Sequence, residues 1–256
     1  MDTYKNVFSL KNKTALIVGA GGLGTPIAQA LMENGADLIL AGNKKPEEWI
    51  FEEARKEGRQ CWYIDVNLLD GKSIKNMVAE AKTKTGRIDI LVNAAGVNKL
   101  KKAEEYDEET WDFVLDINLK GVHLVTSEVG KIMINQHYGR ILSISSVKSF
   151  IGTDQDYIAY CASKGAINMY TKQLACEWGK YGITVNAIAP TFTRTPINSF
   201  QLDDPVFYKN LVNRIPLGRI CSAKDIGCAA LYLCSDASAF ISGQILAVDG
   251  GLTSKQ

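Results

Sequence analysis

Short apolar runs alternate with longer stretches of helical period along almost the whole chain. The runs are rich in β-branched residues and show no polar face, which is typical of strands in a parallel sheet that helices cover on both sides. The predicted strands comprise residues 14–18, 38–41, 61–66, 88–93, 140–144, 183–189 and 245–248. Helical periodicity predicts helices over residues 25–34, 73–85, 109–136, 157–181 and 223–234, with a break near Gly121 left open. The pattern therefore predicts an α/β fold with seven strands.

Residues 190–216 interrupt this alternation with proline-containing turns and a short amphipathic piece over residues 207–212. Long loops in compact domains are usually lids or binding loops, so we expect a substrate loop here, with an irregular surface excursion as the alternative. The rest of the chain has no linker or internal repeat. Its 256 residues, of which 46% are hydrophobic, suit a single large α/β domain over residues 1–256.

Charge and cysteine usage narrow the class of partner. The 29 basic and 28 acidic residues give a net charge of +1, which provides no long-range attraction for nucleic acid or a membrane surface. A small-molecule substrate is therefore the remaining class of partner. The six cysteines form no Cys-x-x-Cys pair, and no targeting peptide or membrane span is recognisable, so we expect a reduced, cytoplasmic protein. Two isolated histidines, His123 and His137, give no indication of a metal site.

A glycine-rich turn follows the first predicted strand and opens a helix. It reads Gly19-Ala20-Gly21-Gly22-Leu23-Gly24. In this context, glycines let the backbone turn sharply and approach a pyrophosphate, whose charge then lies at the helix N-terminus. The turn predicts a dinucleotide site, and a flexible turn without a ligand is the alternative.

The end of the second predicted strand bears on the type of dinucleotide. NAD-binding units usually carry an acidic residue about 20 residues beyond the glycine turn, where it holds the ribose hydroxyls. Here the sequence is Gly42-Asn43-Lys44-Lys45, which contains no acid. A lysine at this point can instead meet a 2′-phosphate. We therefore expect Asn43 and Lys44 to contact the cofactor, NAD(P), with NADP slightly favoured.

Tyr160-Cys161-Ala162-Ser163-Lys164 carries the candidate chemistry. Residues four apart on a helix share a face, so the phenol of Tyr160 and the ammonium group of Lys164 can meet over one spot. A nearby cation favours phenolate and is expected to lower the pKa of the tyrosine. Such a phenol can exchange a proton with a substrate oxygen. Cys161 is interpreted as a packed small residue rather than a nucleophile.

These motifs occur in an order that closely resembles the short-chain dehydrogenase/reductase family. The glycine turn, Asp65-Val66, Asn93-Ala94-Ala95-Gly96, Asn118, Ser146 and the Tyr160 to Lys164 motif carry the resemblance, which runs from about residue 8 to residue 251. The resemblance implies a single-domain, doubly wound Rossmann-type fold with strand order 3-2-1-4-5-6-7. It also implies a nicotinamide cofactor and an assembly that is commonly a homotetramer.

The resemblance also assigns roles to individual residues. Asn118, Ser146, Tyr160 and Lys164 match the family's catalytic tetrad, whereas Ser145 does not. Tyr160 and Lys164 would also lie against the nicotinamide end of the cofactor. The remaining implied cofactor contacts are Asp65 to the adenine amino group, Val66 beside the adenine ring, Asn93, Ala94, Ala95 and Gly96 along the cofactor, and Pro190, Thr191 and Thr195 near the nicotinamide.

The chain departs from the family pattern at four places. Val18 stands where the family usually has threonine, Ala94 where it has a second asparagine, and Thr191 where it has glycine, and the glycine turn is shorter. None of these changes touches the tetrad. The turn keeps a Gly-x-Gly-x-x-Gly spacing, so we expect dinucleotide binding to survive.

Residues 8–10, 93–99 and 214–219 are most similar to the gluconate 5-dehydrogenases and the 2-dehydro-3-deoxygluconate dehydrogenases. These enzymes tend to carry two basic residues shortly after the Asn-Ala-Gly turn, of which only Lys99 is present here. We expect Lys99, Lys148 and Arg194 to bind a substrate carboxylate, although ordinary surface exposure explains each equally well. A 3-oxoacyl thioester reductase and a non-catalytic dinucleotide-binding protein are the alternative functions.

Overall fold

Seven parallel strands form one sheet in the order β3-β2-β1-β4-β5-β6-β7. This computed structural model describes residues 4–153, 156–195 and 198–255. The strands are β1 (Thr14–Val18), β2 (Asp37–Gly42), β3 (Cys61–Asp65), β4 (Ile90–Asn93), β5 (Gly139–Ile144), β6 (Ile183–Pro190) and β7 (Ile245–Val248). The predicted fold class and strand order are therefore confirmed, and the strand limits differ from the predicted ones by at most two residues.

Helices cover both faces of the sheet. They are α1 (Gly24–Glu33), α2 (Trp49–Lys56), α3 (Gly71–Thr85), α4 (Glu108–Leu115), α5 (Val122–Gln136), α6 (Ile158–Trp178), α7 (Ser199–Leu202), α8 (Pro205–Arg214) and α9 (Ala223–Cys234). The sequence pattern missed α2, because this short helix is rich in charge and buries only Ile50, Phe51 and Ala54.

The break expected near Gly121 is a single widened turn. Residues Asp116–Gly121 form a π-helical turn between α4 and α5. Such turns insert an extra residue into a helix and often occur at functional sites. Asn118, one of the predicted tetrad residues, lies in this turn and is buried.

The two faces of the sheet carry separate cores. Successive side chains of a strand point to opposite faces. Ala15 and Ile17 accordingly pack into the cluster that includes α1 and α9, whereas Leu16 and Val18 pack into the cluster under α3, α5 and α6. This double burial explains why the strands read as continuous apolar runs.

Residues 190–216, predicted as a substrate loop with a short amphipathic piece over residues 207–212, contain the helices α7 and α8. Asp204 caps α8 by accepting hydrogen bonds from the main-chain N–H groups of Val206 and Phe207. Leu202, Leu211 and Ile215 form a small third core, against which Phe192 and Phe207 pack. The segment is therefore an ordered helical excursion with its own apolar contacts, at least over its described residues 190–195 and 198–216.

The sheet order reverses between β1 and β4, which both continue into turns at the same edge. In open α/β sheets, ligands bind at such a switch point, outside the carboxyl ends of the strands. Of the helices in the described segments, none is long and apolar enough to cross a membrane. All six cysteines are free thiols.

A substitution at Gly130 tests the close packing of α5 against the C-terminal end of α6. A Cβ atom at Gly130 would lie 2.3 Å from the Trp178 ring. We therefore expect Gly130→Ala to lower the free energy of unfolding by about 1–3 kcal/mol, because the ring must leave its packed position. Urea titration measures the change. Gly179→Ala is the control, since no atom lies within 4 Å of a Cβ built there; equal stability of Gly130→Ala and wild type would contradict the packing argument.

Candidate active site

A cavity of about 990 Å³ opens at the switch point, near the upper limit of ordinary ligand sites. Its walls come from the turns after β1, β2, β3, β4 and β5, from α4 and the π-helical turn, from α6 and from the segment after β6. The sequence-predicted residues that line it are Gly19, Gly21, Gly22, Leu23, Asn43, Lys44, Val66, Ala94, Ala95, Gly96, Lys99, Ser146, Lys148, Tyr160, Lys164, Pro190, Thr191 and Thr195. Gly24, Asp65, Asn93, Asn118 and Arg194 do not line it.

The glycine turn is held tightly against the turn after β4. Gly19 has φ +91°, and a Cβ atom there would lie 2.2 Å from the main-chain nitrogen of Ala95. A Cβ atom at Gly24 would lie 2.0 Å from the Gly19 carbonyl oxygen, so Gly24 serves the turn itself rather than the cavity wall. Gly21, in contrast, has no atom within 4 Å of its Cβ direction. The turn therefore leaves room for a ligand at its middle glycine.

The two lysines after β2 differ in their surroundings. Lys45 forms an ion pair with Glu48, with 3.4 Å between Nζ and Oε2, whereas Lys44 lines the cavity. Asp65 is exposed, and the nearest hydroxyl is that of Tyr63, 3.4 Å from its Oδ1. Its neighbour Val66 faces the cavity. The structure thus places Lys44 and Val66 where a dinucleotide can touch them, and Asp65 outside the lining.

Asn93 and Asn118 act behind the cavity wall. The Asn93 amide donates a hydrogen bond of 3.0 Å to the Thr126 hydroxyl and so ties β4 to α5. The Asn118 Oδ1 accepts from the Val97 N–H (2.8 Å), and its amide donates to the Val97 carbonyl (2.9 Å) and to the Ser163 hydroxyl (3.1 Å). Asn118 therefore joins the exit of β4 to the helix that carries Tyr160 and Lys164.

Lys164 is 3% exposed, and its Nζ donates a 2.7 Å hydrogen bond to the Ile144 carbonyl at the end of β5. The same Nζ lies 5.5 Å from the centre of the Tyr160 ring and 3.5 Å from the point where a Cβ of Gly96 would be. The side chains of Tyr160 and Lys164 therefore lie next to each other. Glycine at position 96 leaves space beside the ammonium group.

The pKa values do not follow the expected direction. Burial raises the pKa of Tyr160 to about 12, and the hydrogen bond with Ser146, not Lys164, is the interaction that opposes this rise. Burial also lowers the pKa of Lys164 to about 8. The expected lowering of the tyrosine pKa by the lysine is therefore wrong for this structure, because desolvation dominates both groups and Lys164 directs its hydrogen bond at Ile144.

The two serines after β5 have different hydrogen-bond partners. The Ser145 hydroxyl donates a hydrogen bond of 2.6 Å to the Asn168 Oδ1, although the residue also lines the cavity. Ser146 hydrogen-bonds with Tyr160 and accepts from the N–H of Lys148 at 3.2 Å. Only Ser146 is thus positioned beside the phenol.

Of the three predicted substrate cations, two line the cavity. Lys99 lies 5.5 Å from the Phe113 ring centre and Lys148 lies 4.8 Å from that of Tyr157. Arg194 instead binds Asp203 at 2.6 Å and the Leu202 carbonyl at 3.3 Å. It stabilises the segment after β6, and the cavity lining does not include it.

Several lining residues carry no sequence motif. They include Asn98, Phe113, Tyr157, Phe192, Phe200 and Gln201. The only signal for Asn98 was its position two residues after Gly96, and the others come from segments whose packing had to be known first.

The lining residues fit a nicotinamide dinucleotide. The glycine turn leaves open space for a pyrophosphate at Gly21, Lys44 is available to a ribose phosphate, and Gly96 leaves room beside Lys164. Thr191 also lines the cavity, and its buried hydroxyl has no protein partner within the described residues. Together, the fold and the site define an oxidoreductase of Rossmann type that uses NAD(P).

Comparison with known proteins supports this assignment to the NAD(P)-dependent oxidoreductases. The sequence model of the family described as enoyl-(acyl carrier protein) reductase matches residues 19–253. The chain belongs to the short-chain dehydrogenase/reductase family. It is a dehydrogenase of the kind that acts on CH–OH groups.

Individual relatives span the full chain. The chain is 40% identical over 256 residues to the 2-dehydro-3-deoxy-D-gluconate 5-dehydrogenase of Bacillus subtilis (strain 168), covering 100% of both chains. It is 36% identical to an NAD-dependent glycerol dehydrogenase of Listeria innocua, covering 97% of this chain and 96% of the relative. A gluconate 5-dehydrogenase from Burkholderia cenocepacia, solved in complex with NADP and tartrate, superposes with a TM-score of 0.92 at 34% identity and covers 98% and 99% of the two chains.

The buried Lys164 predicts a pH-dependent stability. Its pKa falls from 10.5 to about 8 on folding, so between these values the unfolded chain binds a proton that the native protein does not. Stability must therefore rise with pH from about 8 to about 10.5. We expect the free energy of unfolding of wild type, relative to Lys164→Met, to rise by about 3 kcal/mol across this window.

Urea titrations at several pH values measure this difference. Raised tyrosine pKa values lower the stability of both proteins above pH ~10, so they cancel in the comparison. Lys172→Met, at an exposed position of the same helix, is the control and should keep the wild-type slope. Parallel pH profiles for wild type and Lys164→Met would show that the lysine is not desolvated as described.

Proposed function

We propose that the protein catalyses reversible, NADP-linked oxidation of a secondary hydroxyl group in a sugar acid of the gluconate type. The observation that carries this proposal is the convergence of Ser146, Tyr160 and Lys164 on the cavity that the glycine turn opens. The names of the relatives from Bacillus subtilis and Burkholderia cenocepacia support the substrate class.

Tyr160 is the proposed general acid and base. When bound, the nicotinamide supplies hydride acceptance or donation, and the protein supplies position and electrostatics. In ketone reduction, the Tyr160 hydroxyl donates its proton to the carbonyl oxygen, and in alcohol oxidation the phenolate accepts it. Ser146 donates a hydrogen bond to the same oxygen and stabilises the negative charge that develops there. A pKa near 12 keeps Tyr160 protonated at neutral pH, ready for the reductive direction.

Lys164 and Asn118 support this proton transfer. Lys164 would hold the ribose hydroxyls next to the nicotinamide, because it lines the cavity beside Tyr160. Asn118 positions the turn after β4 against α6 through its bonds to Val97 and Ser163. Its carboxamide therefore fixes the turn after β4 relative to the helix that carries Tyr160 and Lys164.

The substrate carboxylate is proposed to lie near Lys99 and Lys148. Both side chains line the cavity and rest on aromatic rings, which restricts their movement. Residues 190–216 act as a substrate loop, because Phe200 and Gln201 of α7 reach the same cavity. Gln201 also hydrogen-bonds with Tyr157, which couples this loop to the α6 wall.

Assembly and compartment complete the proposal. Large apolar side chains are exposed on α6 (Met169), on β7 (Leu246) and just before β7 (Phe240), and contact with further copies would cover them. This exposure supports the homotetramer that the family resemblance suggests. Six unpaired thiols support a reducing, cytoplasmic environment.

Replacement of Tyr160 by phenylalanine tests the acid-base role. Tyr160→Phe removes the transferable proton and keeps the ring, so we expect kcat to fall about 10³-fold while the Kd for NADPH changes less than about threefold. Steady-state kinetics with a panel of sugar acids, ketones and acyl thioesters, and NADPH fluorescence titration, measure both. Tyr170→Phe, whose hydroxyl lies 3.1 Å from His123 Nδ1, is the control. Ordinary turnover by Tyr160→Phe would rule out the assigned role.

Lys44 tests the cofactor preference. If its ammonium group meets the 2′-phosphate, Lys44→Ala should raise the Kd for NADPH about tenfold and leave the Kd for NADH unchanged, because only NADPH loses a charge-assisted hydrogen bond. Lys45→Ala is the matched control, since Lys45 is paired with Glu48. Equal losses for the two cofactors, or tighter NADH binding by wild type, would contradict the NADP assignment.

A further inference from the structure

Asn98 places an unsatisfied polar atom in the lining of the cavity. Its Oδ1 is buried and has no hydrogen-bond partner within the described residues, although the residue lines the cavity together with Ser146 and Tyr160. The only other lining residue with such an atom is Thr191, which belongs to the predicted nicotinamide contacts. Asn98 thus offers a hydrogen-bonding group that the proton-transfer step does not use.

The backbone on which Asn98 stands is rigid. The preceding residue, Val97, is held at both its N–H and its carbonyl group by Asn118 at 2.8 and 2.9 Å. Asn118 in turn binds Ser163, which accompanies Tyr160 and Lys164 on α6. The Asn98 carboxamide is therefore fixed relative to the reacting groups by the same contacts that fix the tetrad.

A ligand that binds against this wall must satisfy the hydrogen-bonding requirement of the Asn98 side chain. A ligand packed against this wall must donate a hydrogen bond to the carboxamide oxygen or leave it unpaired, which costs binding free energy. The adjacent Lys99 offers a cation to an acidic group. Hydroxyl groups are the donors that polyhydroxylated acids provide, whereas simple ketones and acyl thioester chains have none. Sites built to bind a substrate hydroxyl reject analogues that lack it.

We propose that Asn98 is a specificity-determining residue that accepts a hydrogen bond from a substrate hydroxyl other than the one oxidised. This selects polyhydroxylated acids over ketones without a second hydroxyl. The inference rests on the proposed function for its substrate class and adds the residue that recognises it.

A cycle of enzyme and substrate changes tests the contact. Asn98→Leu keeps the size of the side chain and removes the acceptor, so kcat/KM for D-gluconate should fall about tenfold or more. Among the mono-deoxy analogues of gluconate, one should lose a similar factor with wild type and lose no further activity with Asn98→Leu, because the bond is already absent. NADPH binding and the unfolding midpoint of Asn98→Leu should match wild type. The exposed Asn213→Leu is the matched control.

The outcomes separate this inference from the proposed function. An unchanged kcat/KM for gluconate in Asn98→Leu, or equal further losses on every deoxy analogue, overturns the role of Asn98. If wild type oxidises no sugar acid, the proposed substrate class fails, and reduction of 3-hydroxybutan-2-one and butan-2-one by NADPH then decides. A tenfold loss in Asn98→Leu confined to the hydroxyketone supports the contact; an equal effect on both ketones, or reduction of neither, overturns it.

Discussion

The buried side chain of Asn118 is the constraint on which the arrangement of the site depends. Two walls must stay at a fixed distance: the turn after β4, which carries Gly96 and Asn98, and α6, which carries Tyr160 and Lys164. Asn118 bonds to Val97 on one wall and to Ser163 on the other, and so links the two walls directly. The π-helical turn between α4 and α5 brings that side chain inward. A regular helix there would rotate the following positions, so the widened turn has a clear structural purpose.

The same enclosed geometry explains the electrostatics of the pair. A lysine and a tyrosine that are removed from solvent both favour their neutral forms, and both pKa values shift in that direction. Burial of Lys164 costs stability at neutral pH, as is common where a functional site needs an unfavourable group. Sequence spacing indicated that the two side chains share a helix face, but it contained no information about the depth of that face. The sign of the tyrosine shift was therefore missed.

Much of the fold followed from local patterns, and the misses have identifiable causes. Strands buried on both faces produce continuous apolar runs, so their positions and parallel character were predictable. The pattern missed α2 because few of its side chains reach the core. It missed α7 and indicated only residues 207–212 of α8, because turn residues surround both helices. In the site, Tyr160, Lys164 and most of the glycine turn line the cavity. Arg194 does not line the cavity and binds Asp203, which lies nine residues away in a segment whose folding the pattern did not reveal.

The cavity joins two parts that differ in how their shape is determined. The cofactor half is built from strand ends and a glycine turn whose backbone approaches Ala95 so closely that no side chain fits at Gly19. The substrate half receives Phe200 and Gln201 from a helical segment with its own small core of Leu202, Leu211 and Ile215. Changes within that small core can reshape substrate contacts without disturbing the sheet edge. Proton transfer and cofactor binding can therefore stay constant while specificity varies, and Asn98, on the rigid wall, limits how far it can vary.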